Sequence, residues 1–162
     1  MNIFVLDNNI ELCAKYHCDK HVVKMVIEYA QLLSNAHHLN PGADYMGLSL
    51  CKLTHENHPC TKWVCESLDN YLWLFKLWRA LCIEYTKRYG KVHQIYLNHF
   101  RSLIDHPNLQ ADNPEYSFIT KHVLCMPEYC KKDNVIESYR CYYMTKKRHV
   151  AKWKNGVPEW YS

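Results

Sequence analysis

A histidine, a lysine and a glutamate recur at helical spacing near the start of this chain. His21, Lys24 and Glu28 fall within the segment Tyr16 to Leu39, separated by three and then four positions. On a helix, residues so spaced share a face. The polar series extends through His17 on one side and Gln31, Asn35 and His38 on the other, while Val22, Met25, Val26, Ala30, Leu32, Leu33 and Ala36 fill the gaps. A helix that is apolar round most of its girth is a buried helix. Buried His, Lys and Glu are costly unless paired or used. Such a stripe has two chemistries open to it. A carboxylate beside a lysine, in a site poor in water, moves protons. A lysine there can lose its proton and attack an electrophilic carbon. The alternative is a buried polar stripe that hydrogen-bonds to neighbouring loops. The ends of the stripe, His17, Asn35 and His38, are expected as caps and loop contacts. The middle, His21-Lys24-Glu28-Gln31, is where chemistry is expected.

The elements that hold this stripe read as helices. The chain has 162 residues, 48% of them hydrophobic, which suits one domain, 1–162, with a real core. Residues 2–6 are β-prone and short, and Asp7, Asn8 and Asn9 are turn or N-cap types. The pattern then predicts a first helix from about residue 10 to about residue 38, stopped by Asn40-Pro41-Gly42. Residues 41–58 read as loop, and Pro59 suits the first turn of a helix. Val64, Leu68, Tyr71, Phe75, Trp78, Cys82, Tyr85 and Tyr89 form an apolar stripe, which predicts one helix of about seven turns stopped at Gly90. A shorter helix is expected at about 91–104 and a last one from about Val135 to Lys154, with His106 to Pro127 as an ordered loop. The fold class is all-α: three main helices, one or two short ones, and long ordered loops.

The nine cysteines are odd in number and irregularly spaced, and no signal peptide precedes them. They read as small buried hydrophobes in a reducing cytosol, so a cytoplasmic location is expected. No run of apolar residues is long enough to span a membrane. The run Thr54-His55-Glu56-Asn57-His58-Pro59-Cys60 invites comparison with the zinc deaminase signature, His-x-Glu followed by Pro-Cys-x-x-Cys. Here His55 and Glu56 are adjacent and Cys60 and Cys65 are too far apart, so both halves fail. A zinc site from His55, His58, Cys60 and a first-helix histidine is the alternative to a capped helix entry with a polar loop. No metal and no cofactor is assigned. The C-terminal segment Ser138 to Lys154 carries Arg140, Lys146, Lys147, Arg148, Lys152 and Lys154 without an acid, interleaved with Tyr139, Tyr142, Tyr143 and Trp153. Cations neutralise phosphates and aromatic faces stack bases, so DNA or a nucleotide is the expected partner. A solvated basic face with inward aromatics explains the same pattern. Arg79, Lys87, Arg88 and Lys91 extend the basic surface, and the net charge of +4 is compatible with a polyanion.

At Cys18-Asp19-Lys20-His21 through Glu28, and again at Pro158-Glu159-Trp160-Tyr161, the chain resembles the phage pyrimidine-dimer DNA glycosylases of the endonuclease V type. The resemblance implies a small all-α domain whose first long helix opens with Asp-x-His and carries the essential glutamate two turns after the histidine. In that family the terminal α-amine attacks C1′ of a damaged nucleotide, the base leaves, and the imine then undergoes strand cleavage, with the glutamate transferring protons. Carried over, Glu28 is the acid/base and His21 supports the bound strand or the intermediate. The nucleophile is the amine of Met1, or Lys24 or Lys20 serves instead, or Glu28 activates water. The family exposes a small residue after methionine removal, whereas Asn2 disfavours that removal and keeps Met1 in place. The family's arginines immediately before the glutamate and three residues after it are here Ile27 and Gln31. That alters the phosphate grip and opens a modified base or a free nucleotide as substrate. Lys20, Gln31 and Trp160, with Arg140, Tyr143, Lys146, Lys147, Arg148 and Lys152, are the expected DNA contacts. Two other functions compete: a nucleotide- or protein-binding factor using the same pocket without turnover, and a His/Cys metalloenzyme.

Overall fold

The computed structural model describes residues 1–109 and 118–162. Among them are six α-helices and no strand: α1 (Ile10–Tyr16), α2 (Asp19–Leu39), α3 (Pro59–Glu66), α4 (Leu68–Tyr89), α5 (Gln94–Ile104) and α6 (Val135–Thr145). The all-α class is as expected. Helix boundaries differ from the sequence reading in three places, each time because side chains or a distant segment take the backbone groups.

The helix expected over 10–38 is broken at His17 and Cys18, both extended, and becomes α1 and α2. The free carbonyls at the end of a helix need donors, and Arg88 supplies them. Its guanidinium donates to Lys15 O at 2.7 Å and His17 O at 2.9 Å. Glu84 at 2.6 Å and Asp19 at 3.0 Å pair the same buried cation. Arg88 is thus withdrawn from the basic surface expected of it: a cation spent on two carboxylates and two carbonyls meets no phosphate. The seven-turn helix expected after Pro59 is split at Ser67, whose hydroxyl accepts the Asn70 N–H at 3.1 Å and starts α4 afresh. That helix ends as expected at Gly90, whose left-handed φ of 68° lets its N–H close on Thr86 O at 2.9 Å. Finally, α6 stops at Thr145, not Lys154. The chain beyond it crosses to the α1–α2 junction. There Lys152 O takes the Asp19 N–H at 2.8 Å, and Trp153 Nε1 donates to Tyr16 O at 2.9 Å.

Residues 2–6 are extended and buried but pair with no strand among the described residues. Buried backbone groups still need partners, and side chains provide them. Phe4 N donates to the Tyr29 hydroxyl at 3.0 Å, Leu6 N reaches Cys13 Sγ at 3.3 Å, and Arg140 Nε donates to Leu6 O at 3.0 Å. The β-prone composition therefore gives a buried strap rather than a sheet.

α2 is the central element and packs against α3, α4 and α5. Trp78 Nε1, from α4, donates to Val26 O at 2.9 Å and locks the two long helices together. The last turns of α2 clamp the 41–58 segment. Asn35 donates to Thr54 O at 2.6 Å and accepts from Thr54 N at 3.2 Å, and His38 Nε2 donates to Cys51 O at 2.8 Å. Of the loop expected over His106 to Pro127, residues 110–117 lie outside the described residues. The part from Thr120 is tied to α4, with Asn70 accepting the Thr120 N–H at 2.9 Å. No helix among the described residues is long and apolar enough to cross a membrane.

Candidate active site

The α2 stripe divides by what each residue touches. Asn35 and His38 hold the 41–58 loop, as expected. His17 is the C-cap residue of α1, but its ring belongs to the core. Its Nδ1–H donates to Cys13 O at 2.8 Å, so Nε2 accepts the Tyr29 O–H at 2.9 Å, and Tyr29 in turn takes the Phe4 N–H. This relay presses the N-terminal strap against α2.

The strap delivers the chain terminus to Glu28. The Met1 ammonium nitrogen lies 4.0 Å from Glu28 Oε2, and Lys24 Nζ lies 3.2 Å from Oε1. The side chains differ in exposure: Met1 is 4% exposed and Glu28 14%, but Lys24 is 64% exposed. The solvated Lys24 pair is worth little by itself; the terminal amine is held against Glu28 by a buried side chain and a buried strap. Asn2 fixes it there. Its Nδ2 donates to Cys125 O at 2.9 Å, and its Oδ1 accepts from Ile3 N at 3.0 Å. The Tyr139 hydroxyl, shared with Val123 O, lies 2.7 Å from the same oxygen.

His21 is buried one turn before Lys24, under a tilted Phe4 ring 4.5 Å away. Tyr143 closes on it, with the phenol oxygen 2.6 Å from His21 Nδ1 and accepting Cys18 N–H at 3.4 Å. The phenol proton therefore goes to Nδ1, and the neutral ring carries its own proton on Nε2. Burial pushes His21 down to about 3, helped by His17 and the cations of Lys147, Lys24 and Lys20. Burial likewise pushes His17 down to about 4. The unfolded chain binds protons at these rings below about pH 6.5 and the folded one does not, so acid destabilises the fold. Both contributions are intact above that pH and drain away towards 4 and 3. At about 1.4 kcal/mol per unit, the loss by pH 4 is on the order of 5 kcal/mol. Urea unfolding at a series of pH values checks this; an unchanged midpoint between pH 7 and pH 4.5 would rule out neutral buried rings.

The residues expected to meet DNA separate into two groups. Lys20, Lys146, Arg148 and Lys152 are exposed, Lys147 is half-buried over the Tyr142 ring, and Gln31 is half-buried one turn after Glu28. Lys20, Lys24 and Lys147 all act electrostatically on His21, which places three cations around that ring. Arg140, Tyr143 and Trp160 are engaged within the fold. Arg140 is spent on Leu6 O and on Asp7 at 3.0 Å, with its guanidinium over the Trp160 ring. Tyr143 is fully buried, and Trp160 packs edge-on against Tyr16 and Tyr143. Tyr143, with Trp160 against it, forms the wall behind His21, while Arg140 and Trp160 remain half-exposed. The sequence reading also missed Asn2, Tyr29 and Tyr139. They lie far from the stripe along the chain, or carry no pattern of their own, and only the folded strap shows their use.

A family model for pyrimidine dimer DNA glycosylases matches residues 1–97, more than half of the chain. The chain belongs to this family. No curated protein and no solved structure matches it. Membership in the pyrimidine dimer DNA glycosylases gives the coarse activity, glycosylase chemistry on damaged bases with DNA as the substrate. The matched stretch holds Met1, His21, Lys24 and Glu28 and runs through α4 into α5. The wall residues Tyr143 and Trp160 lie beyond it.

Proposed function

We propose that the protein is a DNA N-glycosylase with an associated lyase step, acting on a damaged or modified base, with the Met1 α-amine as nucleophile and Glu28 as the proton-transfer group. The 4.0 Å approach of that amine to the largely buried Glu28 carboxylate carries this reading. An α-amine is intrinsically less basic than a lysine by about 2.5 units, so more of it is free of its proton near neutral pH. Glu28 takes the ammonium proton and frees the lone pair. The nitrogen bonds to C1′, the C1′–base bond breaks, and the base leaves with its electron pair and a proton. Opening of the sugar ring gives an imine between C1′ and the Met1 nitrogen. Removal of a C2′ proton then expels the 3′ phosphate, and water releases the enzyme. Lys24 lies at Glu28, and with Lys20 and Lys147 it acts on His21 two turns away, where the three cations offset phosphate charge. Neutral His21 offers an N–H donor rather than a cation.

The test is excision from a panel of duplexes bearing pyrimidine dimers, alkylated, oxidised or modified bases, repeated with borohydride present. The expected result is release of at least one base and a reduced protein–DNA adduct that maps to the peptide containing Met1. Base release with no trapped adduct would replace the amine by water as nucleophile; no release from any duplex would overturn the glycosylase reading.

A further inference from the structure

Beside the amine lies a cluster that the glycosylase chemistry leaves unused. A ring nitrogen of His58 and the sulfurs of Cys60 and Cys125 all lie within 4.8 Å of one another. The two sulfurs are 3.7 Å apart. Three separate features bring them together. His58 is the N-cap of α3, Cys60 follows Pro59 in its first turn, and Cys125 sits on the segment whose carbonyl Asn2 holds at 2.9 Å. Cys60 is fully buried, while His58 and Cys125 are half-buried, so the group has a closed side and an open side.

We propose that His58, Cys60 and Cys125 form a binding site for a soft divalent cation, zinc by its donor set, beside the Met1 amine and Glu28. Two thiolates and an imidazole are zinc ligands, and three protein donors leave a fourth tetrahedral position for water or an amine. With a zinc–sulfur bond of about 2.3 Å, the edge of a tetrahedron between two sulfurs is about 3.8 Å, the spacing already present here. The site needs little rearrangement of its thiols. Binding releases the two thiol protons. It also competes with the Cys60 N–H, which donates to His58 Nδ1 at 3.1 Å, for the ring's one available lone pair. The Met1 ammonium lies near enough to act on His58, Cys60 and Cys125.

This is a different set from the one the sequence suggests. His55 turns its Nδ1 to Thr54 Oγ1 at 2.7 Å and is exposed, and His17, His21, His37 and His38 are each bonded elsewhere. Cys125 takes the place of both.

The experiment uses the reduced, metal-free full chain and titrates cobalt(II), then zinc in competition with a chromophoric chelator. Expected are a one-to-one complex, thiolate-to-cobalt charge-transfer bands and the visible bands of a tetrahedral ion. Loss of a ligand costs more than the roughly 10–100-fold typical of its supporting contacts, so Cys125→Ser should weaken zinc by more than about 100-fold. Cys141→Ser should bind as the wild type does. A second measurement covers a Cys125→Ser protein that does not fold: in the wild type, stoichiometric zinc should protect the half-buried Cys125 from alkylation and leave Cys141 reactive. Absence of one-to-one binding, or of protection at Cys125, overturns the proposal. Neither readout involves DNA, so the outcome is separate from that of the glycosylase reading.

Discussion

Glu28→Gln is expected to lower the single-turnover rate of base excision about a thousandfold, within the range of general acid–base contributions, and to leave DNA affinity within about twofold. The substitution keeps the shape and an acceptor for Lys24, which now lies 3.2 Å from Oε1. It removes the charge and the ability to take the ammonium proton. Glu28 is 14% exposed, so bulk water is a poor substitute for it. The lysines near His21, proposed to meet phosphate, are untouched, which is why binding should survive. Excision kinetics and equilibrium binding on one lesion-bearing duplex check the two halves separately. Equal losses in binding and rate would show that Glu28 only anchors the terminus, and a rate within tenfold of wild type would remove it from the chemistry. Lys24→Met is the internal comparison. Its ammonium is mostly in solvent, so its loss should cost less than tenfold.

The part of this molecule legible in the sequence is the part governed by local periodicity. Helical spacing put His21, Lys24 and Glu28 on one face, and the Asn40-Pro41-Gly42 and Gly90 stops fall where the helices end. The Ser67 cap was legible too, since a serine followed by Asp69 in the first turn is a start signal; the strong apolar period across it obscured the break. The break at His17 and Cys18 was not legible. Nothing local demands it, and its causes, Arg88 and the Lys152 carbonyl, lie about seventy residues and more away. The basic, aromatic C-terminus shows the same limit in another form. Composition marks Arg140, Tyr143 and Trp160 as nucleic-acid ligands, yet a tyrosine stacks a base or fills a core with equal ease. Only the fold shows the 2.6 Å bond that ties Tyr143 to His21. It likewise shows Arg140 held by Asp7 and Leu6 O.

Removing the Met1 amine should abolish both excision and adduct trapping while leaving DNA binding in place. A blocking group is the cruder way to do so, because it adds bulk to a nitrogen that lies 4.0 Å from Glu28 Oε2. Transamination, which turns the α-amine into a carbonyl, removes the nucleophile with almost no change in size and spares every lysine. Asn2, Tyr139 and Tyr29 hold the strap through contacts that do not use the amine, so the modified terminus should stay beside Glu28. The loss expected is at least about a thousandfold, since a positioned covalent nucleophile is replaced by unassisted water. Trapping must vanish with it, because the imine that borohydride reduces contains that nitrogen. The three candidate nucleophiles give different patterns. If Lys24 were the nucleophile, transamination would leave the adduct intact and Lys24→Met would remove it. If Glu28 activated water, no adduct would form before or after modification, yet bases would still be released. With the Met1 amine, the adduct survives Lys24→Met and disappears on transamination. The amine anchored 4.0 Å from a largely buried carboxylate, against a lysine side chain mostly in solvent, is the physical reason to expect that third pattern.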